Sequence, residues 1–181
     1  PWETTVCFVI SQFNNVKRIR RIVKILVDTY GKQHSFYADG KEIIYNSFPT
    51  PEVLAKQDIR DLMKCGTGFR AKYIKGIAQA CAESVDLEKL RGRGYHEIKA
   101  ALMEMPGIGD KVADCILLMG YKKHEAFPVD TWIKRVVERT YFKGKRQSVK
   151  HIHEFADNRW GEHAGYAQQY LFHNARTNKL K

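Results

Sequence analysis

The chain has 181 residues, of which 44% are hydrophobic and 28% are charged, and its 31 Lys and Arg residues exceed its 20 Asp and Glu residues by 11. This composition excludes a disordered or collagen-like chain and suffices for one domain or two closely packed subdomains. No apolar run approaches the roughly 18 residues that cross a bilayer, and no secretory signal is present, which predicts an intracellular protein without membrane association. The positive charge favours a polyanionic partner such as nucleic acid.

The start of the chain and its cysteines add two expectations. The sequence begins with Pro1, without an initiator methionine, and an apolar run follows closely, which indicates a piece of a longer protein. Its four cysteines match no zinc or iron–sulfur spacing and are too scattered for a disulfide framework. We therefore expect reduced thiols and no iron–sulfur cluster.

Helical periodicity dominates the first half of the chain. Apolar residues recur every three or four positions over 16–30 while Lys and Arg fill the other faces, which predicts an amphipathic helix with a basic surface. The stretch 32–47 predicts a loop with a small hairpin, because Asp39-Gly40 is a turn signal beside β-prone residues. Short helices are expected over 50–64, and two glycines in 65–70 mark a turn before another helix.

The second half predicts further helices separated by tight connections. Helices are expected over 95–105, from the end of the 105–111 turn to Gly120, from Asp130 onward, and around 152–159 and 165–176. We therefore predict an all-α fold with two helical subdomains. The central one covers about 15–125, including the hairpin at 105–111, and the second combines 1–14 with 126–181.

The segment from Met105 to Lys111 joins two predicted helices by a turn that requires glycine at two positions. Backbone N–H groups of Gly107, Ile108 and Gly109 would lie near the positive end of the following helix, where a phosphate binds without side-chain help. A tight turn with a purely structural role explains the same pattern.

Three residues near helix starts are candidates for chemistry. Lys111 lies in the first turn after the hairpin, where the helix dipole disfavours a cation and so favours the neutral, nucleophilic amine. Cys115 follows four residues later and shares its helix face. Asp130 would stabilise a cation-like transition state at a sugar carbon. A solvated lysine, a core thiol and an ordinary N-cap are the structural alternatives.

These segments resemble the helix-hairpin-helix DNA glycosylase superfamily and, within it, the 8-oxoguanine DNA glycosylase/lyases. Met-Pro-Gly-Ile-Gly-Asp-Lys-Val-Ala-Asp-Cys at 105–115 and Phe-Pro-Val-Asp at 127–130 carry the resemblance. Similar segments at 10–19, 66–73 and 164–172 extend it over most of the chain, in order. The resemblance implies a helix-hairpin-helix motif and an active site in the cleft between two helical subdomains.

A bifunctional base-excision-repair enzyme is what the resemblance implies. In such an enzyme Lys111 attacks C1′ of the damaged nucleotide, 8-oxoguanine leaves, and the resulting Schiff base permits β-elimination that nicks the strand. Asp130 stabilises the developing positive charge. The target base is flipped out of the duplex into a pocket that the resemblance assigns to Cys115, Gln168 and Phe172. Taken alone, Gln168 and Phe172 also fit an ordinary amphipathic helix.

The resemblance also implies contacts to the duplex. Phe69 matches an aromatic wedge that props the duplex open, and Arg70 and Arg18 match arginines that read the estranged cytosine. Asn14 and Asn15 match an asparagine run that faces the opposite strand. A core aromatic and solvated charges are the alternatives for the first three.

Several positions depart from the pattern of this family. Phe13 stands where a further Asn usually contacts the orphan strand, which leaves the selectivity for the opposite base open. Trp132 replaces a frequent His, so no role is assigned to it. Longer relatives have an N-terminal β-rich domain that this chain lacks, so lesion discrimination is weakened or supplied elsewhere. The terminal Lys181 matches short archaeal relatives, which we interpret as coincidence.

No cofactor is required by the resemblance, although it implies a structural monovalent or alkaline-earth ion on the main-chain carbonyls of Met103, Met105 and Ile108. The histidines at 151 and 153 are expected on a solvated helix face, since no further ligands accompany them. The implied partner is double-stranded DNA with an oxidised base, bound by a monomer in the nucleoid or nucleus. Two alternatives stay open: a glycosylase/AP lyase of broader or different lesion preference, and a catalytically silent helix-hairpin-helix DNA-binding module.

Overall fold

The computed structural model describes residues 1–177, which confirm the predicted helical fold, and Lys181 lies outside the described residues. In chain order the helices are α1 (Trp2–Ser11), α2 (Val16–Tyr30), α3 (Pro51–Ala55), α4 (Ile59–Lys64), α5 (Ala71–Glu83), α6 (Tyr95–Met103), α7 (Asp110–Gly120), α8 (Thr131–Tyr141), α9 (Val149–Trp160) and α10 (Ala164–Thr177). The strands are β1 (Gln33–Ala38) and β2 (Lys41–Asn46). None of the described helices is long and apolar enough to span a membrane.

The chain forms two compact units. Among the described residues, the first contains 1–90 and 104–107, and the second contains 91–103 and 108–177. This grouping differs from the predicted boundaries in two places: residues 1–14 belong to the first unit, and residues 91–103 and 108–125 belong to the second. In the first unit α1 packs against α2 and α5, and the indole N–H of Trp2 donates to the carbonyl of Pro49 at 2.8 Å.

Buried aliphatic side chains organise the first unit. The spacing of Val6, Val9 and Ile10 places them on one face of α1, and all three are fully buried. The predicted basic helix is confirmed as α2, which buries Ile22 and Leu26. Its basic side chains are exposed: Lys17, Arg18, Arg20, Arg21 and Lys24. The apolar periodicity thus selects the packed face and leaves a positive surface.

The predicted small hairpin is confirmed as an antiparallel pair in which β1 and β2 run from Gln33 opposite Asn46 to Ala38 opposite Lys41. Its turn has positive φ at both central residues, 49° at Asp39 and 72° at Gly40. Such a turn matches the right-handed twist of the paired strands, and Asp-Gly is a preferred sequence for it.

Apolar and aromatic side chains from α8, α9, α10 and the segment before α8 build a hydrophobic cluster in the second unit. Its buried members are Phe127, Val129, Ile133, Val137, Ile152, Ala156 and Ala164. The helix predicted over 95–105 ends earlier, at Met103. The reason is Pro106, which disfavours helical backbone at the residue before it.

Gly107 accounts for the tightness of the turn that follows α6. Its φ is +79°, a backbone conformation that side-chain-bearing residues rarely adopt. A Cβ at this position would lie 2.5 Å from Cγ of Tyr73, so the ring of Tyr73 packs directly on the glycine backbone. Gly109 has φ of −98°, and an added Cβ there would meet none of the described residues within 4 Å.

We expect Gly107→Ala to lower the free energy of unfolding by about 2 kcal/mol or more, because positive φ and the collision with Tyr73 both disfavour a methyl group. The matched variant Gly109→Ala should change it by less than about 1 kcal/mol. Urea unfolding followed by circular dichroism measures both values. Equal effects of the two substitutions would contradict this account of the turn.

Candidate active site

The turn between α6 and α7 is bound by a side chain at its first half and is followed by the N-terminus of α7. The side-chain amide of Gln12 donates to the carbonyl of Gly107 at 3.0 Å. Gly109 occupies the N-cap position of α7 and has no side chain with which to cap the helix. The first N–H groups of a helix lack intrahelical partners. They are therefore suited to an anion such as a DNA phosphate.

Lys111 and Cys115 lie one turn apart on α7, and Asp130 precedes α8 in the same unit. The charges of Lys111 and Asp130 both act on the Cys115 thiol. Burial raises the pKa of that thiol to about 11, and the positive charge of Lys111 opposes the rise while the charges of Asp114 and Asp130 add to it. The thiol therefore stays neutral at physiological pH, so it does not compete as a thiolate with the amine.

Asp130 is confirmed as the N-cap of α8. Its Oδ1 accepts the backbone N–H of Ile133 at 2.7 Å. A carboxylate has two oxygens and four lone-pair directions, so capping and chemistry are compatible in one residue. Asp130 is half-buried, as is Lys111.

The predicted base-pocket residues on α10 have different environments. Gln168 is buried; its Nε2 donates to the carbonyl of Pro128 at 3.0 Å and its Oε1 accepts from Gln169 at 2.7 Å. Phe172 is half-buried and lines a groove of about 410 Å³, where the guanidinium of Arg176 lies 5.7 Å from its ring centroid. Gln168 is thus tied to the segment that leads to the catalytic carboxylate candidate.

A buried ion pair joins Asp114 of α7, the helix that carries Lys111, to Lys99 of α6. Asp114 is fully buried, and its Oδ1 accepts from the hydroxyl of Tyr95 at 2.7 Å and from Nζ of Lys99 at 2.8 Å. Burial by itself would lower the pKa of Lys99, but hydrogen bonds with Asp110, Asp114 and Tyr95 outweigh it and raise that pKa above its ordinary value. Burial and then the charge of Asp114 raise the pKa of Tyr95. Lys99 is therefore a permanent cation at neutral pH.

His153 completes this group, and the expectation of a solvated position is wrong for it. Its Nε2 lies 3.4 Å from Oδ2 of Asp114 and 3.1 Å from the carbonyl oxygen of Phe127. Together with Asp110, these residues are types that ligate metal ions. Lys99, however, lies 2.8 Å from a carboxylate oxygen of each Asp. Its ammonium already occupies the position between the two carboxylates and offsets one of their two negative charges.

In the first unit, Arg70 is buried rather than solvated. Its guanidinium donates to the carbonyl oxygens of Gln12, Phe13 and Thr67, the last two at 3.1 and 3.3 Å. The guanidinium carbon also lies 4.4 Å from the ring centroid of Phe69. Phe69 itself is 49% exposed, as expected for a side chain that contacts a ligand.

The remaining predicted DNA contacts surround the turn between α1 and α2. The side chain of Asn14 donates to the carbonyl of Ile10, and Asn15 caps α2 by accepting the backbone N–H of Arg18. Arg18 is exposed and close enough to lower the pKa of Arg70, after the larger effect of burial. Phe13 has a φ of 47° and is 94% exposed. The two asparagines therefore shape the turn, whereas Phe13 and Arg18 face solvent.

Comparison with known proteins identifies the family. The HhH-GPD superfamily of base excision DNA repair proteins matches residues 6–162. The chain belongs to this superfamily. Its turn at Gly107 and the lysine at the start of α7 lie within the matched range.

Individual members of the superfamily are similar over almost the whole chain. A probable N-glycosylase/DNA lyase from Methanothermobacter thermautotrophicus is 33% identical over 99% of this chain and 62% of the relative. An N-glycosylase/DNA lyase from Saccharomyces cerevisiae is 31% identical over 95% of this chain and 54% of the relative. The chain thus spans less than two thirds of the length of these relatives.

A solved structure agrees with the sequence comparison. The structure of an 8-oxoguanine glycosylase/lyase from Clostridium acetobutylicum, in complex with double-stranded DNA containing cytosine opposite 8-oxoG, superposes with a TM-score of 0.88. The two sequences are 35% identical, and the match covers 99% of this chain and 61% of the other.

Sequence reasoning missed Tyr95, Lys99, Asp114 and His153. A signal was present for three of them. Tyr95 and Lys99 are four residues apart and share a helix face, and Asp114 is a lone carboxylate in an otherwise apolar helical run, which requires a buried partner. His153 gives no local signal, because it is 39 residues beyond Asp114 in the sequence.

We expect Lys99→Met to lower the free energy of unfolding by about 3 kcal/mol, because it leaves a buried carboxylate without its cation. Lys24→Met removes an exposed ion pair with Asp28 and should change it by less than about 1 kcal/mol. Urea unfolding at pH 7 measures both. A Lys99→Met variant as stable as Lys24→Met would contradict the assignment of Lys99 as the cation that the buried Asp114 requires.

Proposed function

We propose that this chain is a bifunctional DNA glycosylase and AP lyase that flips 8-oxoguanine out of duplex DNA and removes it through a Schiff base on Lys111. The observation that carries the proposal is that Lys111 and Cys115 share one face of α7 and that Asp130 is near enough for its charge to act on the same thiol, in a chain of the HhH-GPD superfamily. Their arrangement supplies the amine and the carboxylate that base excision with strand cleavage requires.

The chemistry follows from these groups. The neutral amine of Lys111 attacks C1′, and the bond from C1′ to the base breaks as the base takes up a proton. Asp130 stabilises the positive charge that develops on the sugar. The sugar ring opens to a Schiff base, which acidifies C2′, and loss of that proton expels the 3′ phosphate. Binding of phosphate alone would need neither residue, which argues against a silent module.

The choice of substrate is supported by the names of the relatives. The relatives described above are named as an N-glycosylase/DNA lyase and a probable N-glycosylase/DNA lyase, and the C. acetobutylicum structure is a complex with DNA that contains cytosine opposite 8-oxoG. In this proposal Cys115, Gln168 and Phe172 surround the flipped base. Phe69 enters the duplex as the wedge and Arg18 faces the opposite strand. Arg70, Asn14 and Asn15, which match the family's strand contacts, instead hold the backbone beside these two side chains.

Affinity for DNA would come from the basic surface and from the helix-hairpin-helix turn. The exposed cations of α2 neutralise phosphates, and the N–H groups of Gly107, Ile108 and Gly109 approach one phosphate directly. We also propose a structural alkali or alkaline-earth ion on the carbonyls of Met103, Met105 and Ile108. Carbonyl oxygens suit such hard cations. Met103 is the last residue of α6, where carbonyls lack intrahelical partners.

Borohydride trapping tests the assignment of Lys111. We expect a covalent adduct on a duplex with 8-oxoguanine opposite cytosine and on an abasic duplex, but not on an undamaged duplex. Lys111→Gln should abolish the adduct and leave affinity for a tetrahydrofuran-containing duplex unchanged. The exposed Lys64→Gln serves as the matched control and should behave as wild type.

The three duplexes also separate the alternatives. An adduct on the abasic duplex alone would contradict 8-oxoguanine excision by this chain while keeping the lyase chemistry. Adducts on duplexes with other damaged bases would indicate a broader lesion preference. Binding without any adduct would leave the silent DNA-binding module.

Asp130→Asn separates the catalytic role of Asp130 from its capping role. Asn caps helices as well as Asp does, so the free energy of unfolding should change by less than about 0.5 kcal/mol. Loss of the charge should slow single-turnover base removal by about 10²–10³-fold. Asp130→Ala, which also removes the cap, should lose about 1 kcal/mol of stability in addition. An Asp130→Asn variant with wild-type excision would leave Asp130 as a cap only.

A further inference from the structure

The segment Phe127–Asp130 has no regular secondary structure, although it places the carboxylate assigned above to transition-state stabilisation. Its first three residues are buried, so their carbonyl oxygens require donors. Nε2 of His153 lies 3.1 Å from the carbonyl oxygen of Phe127, and the amide of Gln168 donates to that of Pro128 at 3.0 Å. Two side chains from distant positions in the chain therefore fix the path of this backbone.

The same nitrogen of His153 faces the helix that carries Lys111. Oδ2 of Asp114 lies 3.4 Å from Nε2. This oxygen is fully buried and accepts no hydrogen bond from the residues that the structure describes. Because both neighbours of Nε2 are acceptors, Nε2 carries a hydrogen. The N–H of Nε2 is therefore shared unequally: it donates to the carbonyl of Phe127, and the same edge of the ring lies beside the Asp114 carboxylate of α7 without a hydrogen bond to it.

Asp114 is held in place by residues other than His153. Its other oxygen is held by Tyr95 and Lys99 at 2.7 and 2.8 Å, independently of His153. His153 also lines a groove of about 670 Å³ together with Lys111 and Val129, so it borders the space in front of the reactive amine. The imidazole is thus the link between an anchored helix and an irregular segment.

We propose that His153 is a positioning residue that sets the place of Asp130 relative to Lys111, because its imidazole donates to the Phe127 carbonyl while its ring is packed beside the buried Asp114 carboxylate of α7. The inference rests on the proposed function for its catalytic consequence and on geometry alone for the positioning. A displacement of about 1 Å in an active site slows a reaction by about 100-fold. Loss of the contact should therefore reduce the reaction rate without weakening DNA binding.

A pair of amide substitutions tests this role. His153→Gln places an amide N–H near the position of Nε2, whereas His153→Asn is one methylene too short to reach the Phe127 carbonyl. His151→Asn is the matched control, because His151 is exposed on the same helix. We expect the Asn variant at position 153 to slow borohydride trapping on a preformed abasic duplex at least about tenfold. The Gln variant should recover most of the rate.

Two further measurements separate positioning from general damage. Affinity for a tetrahydrofuran-containing duplex should stay within about twofold for all three variants, since the exposed basic surface is unchanged. The backbone amide of Ile133 donates to Asp130, so its ¹H–¹⁵N resonance reports the position of that carboxylate without any DNA. This resonance should shift in His153→Asn and should keep its wild-type position in His153→Gln and His151→Asn.

The outcomes are distinct. An unmoved Ile133 resonance in His153→Asn overturns the positioning role, as does a loss of DNA affinity as large as the loss of rate. A trapping rate equal to wild type would overturn its catalytic consequence while the proposed function stands. If the wild-type protein forms no adduct on any duplex, the proposed function fails, and the Ile133 resonance still decides whether His153 positions Asp130.

Discussion

The carboxylate of Asp114 is completely buried on α7, the helix that carries the proposed nucleophile Lys111, and this charge constrains its surroundings. An uncompensated buried ion costs several kcal/mol, so neighbouring helices must supply partners. Lys99 and Tyr95 of α6 bind one oxygen, and His153 of α9 faces the other. Because α7 cannot rotate or slide without breaking these contacts, the orientation of Lys111 is fixed by a residue one turn away from it.

The proposed catalytic carboxylate is placed by a different principle. The segment leading to Asp130 lacks regular secondary structure, and hydrogen bonds from His153 and Gln168 to successive carbonyls hold it. Asp130 then caps α8, which adds a bond to the backbone of Ile133. Both proposed catalytic groups therefore lie at helix starts, where dipoles and unpaired N–H groups shape the local electrostatics. The Cys115 thiol, on the same helix as Lys111, stays neutral because it is buried.

In the first unit, the side chains predicted to contact DNA fall into two groups: some bind the backbone of the protein, and others are exposed to solvent. Arg70 is occupied by backbone carbonyls, and Asn14 and Asn15 hold the turn between α1 and α2. Phe13 and Phe69 remain exposed. The positive φ of Phe13 costs about 1–3 kcal/mol and persists because Arg70 binds the adjacent carbonyls. Some residues in this part of the chain therefore stabilise the backbone, whereas their neighbours remain exposed and available to contact a ligand.

The sequence by itself determined the features that depend on local pattern. Periodicity gave α2, the Asp39-Gly40 signal gave the hairpin, and the glycines around Ile108 gave the turn before Lys111, because backbone geometry and helix faces follow from nearby residues. The burial of Arg70 and the partners of Asp114 were decided only by tertiary structure. Those contacts join residues such as Asp114 and His153, which only folding brings together, and a buried charge selects its partners through the distances available after the helices have packed.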